Sequence, residues 1–129
     1  MDGLVTTAGA MVFAILATGA IAFQVALALG APWGAYAMGE TFPERFPRPL
    51  RVAALGQAGL LAALALIVLA DAGLVAPSLV ADLPWLIWLP VGFSAVSLVL
   101  NAASRSGAER RVWVPVALGM LTSSLAVAL

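Results

Sequence analysis

Four apolar runs, each close to the length that crosses a bilayer, limit what this chain can fold into. A membrane-spanning helix needs roughly 20 largely apolar residues. The runs cover about 7–30, 50–70, 83–104 and 107–129. No water reaches the hydrocarbon to satisfy backbone N–H and C=O groups, so a spanning segment must satisfy its own, and an α-helix does. The chain is 64% hydrophobic and 9% charged, where a soluble domain carries about 25% charged residues. The expected fold class is therefore all-α: an integral membrane four-helix bundle, residues 1–129 forming one transmembrane domain with no room for a second.

Charge placement orients the bundle. All six basic residues are arginines. Arg45, Arg48 and Arg51 fall at the connection of the first two runs, and Arg105, Arg110 and Arg111 at that of the last two, none more than a few residues into a run. Asp2, Asp71 and Asp82 sit where arginine is absent. By the positive-inside rule both Arg-bearing loops are cytoplasmic and both termini lie outside. The aromatic residues agree: Trp33, Tyr36, Phe42, Phe46 and Trp113 fall near the expected cytoplasmic boundary, and Trp85 and Trp88 near the outer one. Rings that carry an N–H or O–H favour those depths. Met1-Asp2-Gly3 lacks the positive n-region of a secretory signal, so the first run is expected to be a span.

The inventory excludes much chemistry. The chain has no Cys, His or Lys, so it offers no thiolate nucleophile, no Cys/His metal site and no Schiff base. No cofactor, no metal site and no catalytic residue is expected, and no basic tail points to nucleic acid. The partners expected are the lipid bilayer itself, an anionic lipid headgroup near the arginines, and a homo-oligomer or larger membrane complex built on the small-xxx-small pairs, such as Ala22 with Ala26 and Ala58 with Ala62.

The polar residues at membrane depth are unevenly placed. Gln24, Gln57 and Asn101 all fall in the half of the bundle nearer the arginines; the other half holds hydroxyls such as Thr18, Thr122, Ser123 and Ser124, which bond back to their own helix. Two readings of the amides stand open. They are interhelical glue, each worth about 0.6 kcal/mol on average, or they line a cytoplasm-facing cleft walled by Trp33 and Tyr36 and rimmed by Arg48, Arg105 and Arg110. Two helix starts are predicted as well: Asp82 as N-cap of the third span with Pro84 in its first turn, and Ser106-x-x-Glu109 as a capping box opening the fourth. Pro32 between Gly30 and Gly34 is expected to break the first span and lay Trp33 and Tyr36 at the interface.

The segment Gln24-Val25-Ala26-Leu27-Ala28-Leu29-Gly30-Ala31-Pro32-Trp33-Gly34 resembles a signature of small four-span bacterial membrane proteins without an assigned activity. So does Asn101-Ala102-Ala103-Ser104-Arg105-Ser106 with Glu109-Arg110 and Trp113-Val114-Pro115. Those proteins tend to carry Gly-Gly after the first segment, where this chain has Gly39-Glu40. The resemblance implies a bacterial inner-membrane location and no particular activity.

Three functions fit these residues. The first is a non-enzymatic protein that binds a lipid, a hydrophobic small molecule or a larger membrane partner at its cytoplasmic end. The second is an oligomeric transporter or channel, against which the missing mid-membrane charge counts. The third is a lipid-modifying enzyme using Glu40, Glu44 or Glu109 as acid or base, for which no nucleophile–base pair is visible.

Overall fold

A computed structural model describes residues 2–37 and 44–129 of the chain. Glu40, Phe42 and the remainder of 38–43 lie outside the described residues. Among the described residues the fold is helical with no strand: α1 (Asp2–Ala28), α2 (Arg48–Asp71), a one-turn helix α3 (Ser78–Ala81), α4 (Trp88–Ala102) and α5 (Gly107–Ala128). Short 3-10 turns cover Gly34–Tyr36 and Pro84–Ile87. Four helices are long and apolar enough to cross a membrane, α4 reaching 19 residues only with its 3-10 lead-in. At 1.5 Å per residue those 19 span about 28 Å, close to the hydrocarbon thickness. Large apolar side chains such as Leu4, Ile15, Val52, Val96, Leu100 and Leu118 stand exposed around all four, as a lipid-facing surface requires.

The helix ends follow local chemistry. α1 stops in a Schellman motif: Ala31 N–H donates to Ala26 O (2.9 Å) and Gly30 N–H to Leu27 O (3.1 Å), with Gly30 at φ +97°. Pro32 follows and cannot continue the helix. α2 ends the same way at Gly73, φ +78°, with Leu74 N–H on Leu69 O (3.0 Å). The start of the third span departs from expectation. Pro84 holds Leu83 off the helical region (φ −134°, ψ 65°), so Leu83 caps the 3-10 turn without a side-chain bond, and Asp82 is the C-cap of α3 rather than an N-cap. Helix α3 itself leaves no periodic signal at four residues.

Packing runs α2–α1–α5–α4: α1 packs closely on α2 and on α5, α4 packs on α5, and α2 meets α4 only lightly. The α1–α5 pair forms the main core, with Ala10, Phe13, Ala17 and Ala20 against Met120 and Val127, extended by Leu61, Leu64 and Val68 of α2 and by Ile87. A small second cluster, Leu27, Phe46 and Ala54, sits at the opposite end, where the arginines are. The seam between α2 and α4 is filled at the Asp71/Asp82 end by α3 and the 3-10 turn, both of which pack on α2. The hydroxyls of this half bond to their own helices, as the sequence suggests: Thr18 on Ala14 O (2.7 Å), Thr122 on Leu118 O (3.0 Å), Ser123 on Met120 O (3.2 Å) and Ser124 on Leu121 O (3.1 Å).

Helix α1 approaches the backbone of α5 closely at Gly9. A Cβ there would lie 2.9 Å from Ser123 O, a backbone atom that cannot swing aside, and 3.1 Å from Ala126 Cβ. Gly19, also on α1, has nothing within 4 Å. The two glycines therefore predict opposite outcomes. Gly9→Ala should destabilise by about 1–3 kcal/mol through overpacking, and Gly19→Ala should stabilise by about 0.5–1 kcal/mol through helix propensity. Thermal unfolding in one detergent compares them directly; equal effects would rule out the close approach.

Candidate functional site

At the arginine end, where α2 and α4 no longer have α3 between them, the four long helices surround a cavity of about 460 Å³. Each helix contributes one face at helical spacing: Ala20, Phe23, Gln24 and Leu27 from α1; Leu50, Ala53, Ala54, Gln57 and Leu61 from α2; Phe93, Ser94, Ser97, Leu100 and Asn101 from α4; Glu109, Trp113, Val116, Ala117 and Met120 from α5. Tyr36, Ala37 and Phe46 of the first connection complete the lining. The wall is largely apolar and aromatic with a few convergent polar groups, the usual composition of a ligand cavity.

Of the eight residues singled out from sequence, Gln24, Tyr36, Gln57 and Asn101 line this space. Trp33 does not; it is exposed and stacks on Phe23, which does line the cavity, with ring centroids 6.3 Å apart and planes at 14°. Arg48, Arg105 and Arg110 are exposed and outside the lining. Arg110 donates through Nη1 to Ser104 O, folding the α4–α5 connection on itself. The three arginines thus stand outside the cavity wall, before or in the first turn of a helix.

The amides make no bond between helices among the described residues. Asn101 Nδ2 donates to Ser97 O of its own helix (2.7 Å), and Gln24 and Gln57 bond no other described residue. Among the described residues no buried side-chain N or O lacks a partner, and both glutamines are partly exposed and line the cavity. The glue reading finds no support in this arrangement.

Ser94, Ser97 and Glu109 were not among the site residues read from sequence. A signal existed for the serines: Ser94, Ser97 and Asn101 fall at i, i+3 and i+7, one stripe of a helix. Glu109 was assigned to the capping box, and only half of that box forms. Ser106 Oγ accepts from Glu109 N–H (3.1 Å), but Ser106 N–H donates to Ser104 Oγ (3.1 Å). Glu109, buried in the first turn of α5, lines the cavity instead.

The first connection is stitched to α5. Ser106 Oγ donates to Ala35 O (2.7 Å), and Trp113 Nε1 donates to Tyr36 O (2.8 Å). Trp113 also meets Phe23 edge-on at 4.8 Å. Gly34 N–H on Glu44 O (2.8 Å) closes the connection on itself. Arg51, read from sequence only as a marker of orientation, holds the other side: Nε donates to Phe46 O (3.0 Å), and a Cβ at Gly30 would lie 3.0 Å from its Nη2. That places a cation at the C-terminal end of α1, where the helix dipole favours one. Only a glycine satisfies both the left-handed backbone at position 30 and this contact.

No family model, curated protein or solved structure matches the chain.

Ser106 is fully buried and bonds both ways. Ser106→Ala removes the N-cap and strands Ala35 O, a loss of about 1–3 kcal/mol. Hydrogen exchange should show amides 34–37 losing protection before the core of α1 does. Unchanged exchange there would mean that the stitch does not hold the connection.

Proposed function

We propose that this chain is a non-enzymatic binding protein of a bacterial inner membrane, which holds a lipid or hydrophobic small molecule in the cavity at its arginine end, with that end in the cytoplasm. The observation that carries this reading is the cavity itself. Four helices that could have closed on one another leave about 460 Å³ between them, and the chain's three intramembrane amides line it while forming no bond that ties one helix to another among the described residues. The lining supports binding over chemistry. Among the described residues it has one carboxylate, at Glu109, and Ser94 Oγ donates to Pro90 O of its own helix (2.7 Å) rather than to a base. The orientation rests on the arginines, all in the connections or the first turns of α2 and α5 at this end.

Native mass spectrometry of the protein released from its own membrane should show a discrete added mass. Replacing Gln24, Gln57 and Asn101 together by Ala should remove that mass while changing stability by less than about 1 kcal/mol, since none of the three ties helix to helix. A bare wild-type protein, or a triple variant that unfolds, would overturn the reading.

The orientation has its own test, which the absence of native Cys makes clean. A Cys at exposed Ala103 should resist an impermeant maleimide in intact cells, and one at exposed Ser78 should react. The reverse pattern would invert the topology.

A further inference from the structure

The cavity wall has a sign. Among the described residues lining it, Glu109 is the one acid, and no Arg contributes. All six arginines lie outside: Arg51 is engaged with Phe46 O at the end of α1, Arg110 with Ser104 O, and Arg45, Arg48, Arg105 and Arg111 are exposed. An anionic headgroup entering here would meet a carboxylate and no cation.

Three of the polar groups lean the same way, because donors of Ser94, Asn101 and Trp113 are committed to backbone, while Gln24 and Gln57 keep both donor and acceptor for a ligand of either sign. Ser94 gives its O–H to Pro90 O (2.7 Å), Asn101 gives an Nδ2–H to Ser97 O (2.7 Å), and Trp113 gives its indole N–H to Tyr36 O (2.8 Å). Lone pairs of Ser94 Oγ and Asn101 Oδ1 remain to accept. A carboxylate offers about four acceptor sites, so Glu109 can take a ligand's donors in addition to bonds it makes elsewhere. The rest of the wall is aromatic, with Phe23, Tyr36, Phe46, Phe93 and Trp113 contributing, and ring faces attract cations. Size narrows the occupant further. At about 460 Å³ the cavity matches one drug-sized molecule and cannot enclose a two-chain phospholipid.

We infer that the cavity takes a cationic single-chain amphiphile, an amine or quaternary ammonium on a short apolar body, with Glu109 as counter-ion and Trp113 and its aromatic neighbours around the head. This inference rests on the binding function proposed above, and its test separates the two.

The protein is placed in nanodiscs of phosphatidylglycerol, which carries no amine, in a Trp33→Phe, Trp85→Phe, Trp88→Phe background so that Trp113 reports. Octyltrimethylammonium, octyl sulfate and octanol are titrated against Trp113 emission. The cation should saturate the signal with at least about tenfold higher affinity than either other probe, the ratio expected of one charge-assisted contact. Glu109→Gln should close most of the gap between the cation and octanol. Gln57→Glu, which adds a second carboxylate to the wall, should widen it, and this variant decides the matter if the Glu109 substitution does not fold. Equal affinity for all three probes would overturn the cationic assignment and leave the cavity a binding site for apolar molecules. No saturable response to any probe would overturn both. Displacement of the cation by phosphatidylethanolamine added to the bilayer would overturn the single-chain assignment and give the amine to a lipid headgroup.

Discussion

The contact between α1 and α5 is the one on which the rest of the bundle depends. Lipid supplies no hydrophobic drive for one helix to join another, so association relies on close packing, and Gly9 lets α1 come close to the backbone of Ser123. Gly119 plays the reciprocal part, lying under Leu16. With α1 and α5 as the central pair, α2 attaches to the first and α4 to the second, on outer flanks that scarcely meet. A cavity between α2 and α4 follows from that arrangement. It is closed at one end because the chain there has α3 and the 3-10 turn Pro84–Ile87 to fill the gap. At the other end the connection through Tyr36 and Phe46 lines it without filling it.

The polar groups at that end fall into two sets with different work. Ser106, Trp113 and Arg51 hold backbone carbonyls of the first connection at 2.7–3.0 Å and fix its position against α5 and α2. Gln24, Gln57 and Asn101 fix nothing across helices among the described residues. A hydrogen bond between helices in lipid is worth under about 1 kcal/mol on average, so a bundle packed as tightly as α1 on α5 loses little by leaving its amides to a cavity.

Much of the fold was legible because hydropathy acts over twenty residues at a time. The four spans, the break at Gly30-Ala31-Pro32 and the N-cap at Ser106 all leave signals in the residues that make them. What was missed depends on neighbours distant in sequence. Asp82 has every mark of an N-cap, but Pro84 moves the chain and the helix starts elsewhere. Gly9 looks like any small residue in an Ala-rich run until α5 is laid beside it. For the site, the amides and Tyr36 were legible as polar groups at one depth. Trp33 and the arginines were not separable from them, since depth says nothing about which way a side chain turns about its helix. Glu109 was hidden by a better-known role: the Ser-x-x-Glu spacing suggests a reciprocal cap, and only the position of Ser104 shows that its half of the cap is already filled.

The stitch between the first connection and α5 also bears on how the protein is made. The connection at Ala35 and Tyr36 is synthesised before α2, yet its partners Ser106 and Trp113 lie 71 and 77 residues further along. A ribosome adding about 5–20 residues per second delivers those partners seconds after the connection has emerged. Until then Ala35 O and Tyr36 O lack the donors that hold them, α1 has no α5 to pack on, and the cavity has neither its fourth wall nor its carboxylate. With three spans inserted the nascent chain has no closed chamber, and α5 supplies the wall that carries Glu109, Trp113 and Met120.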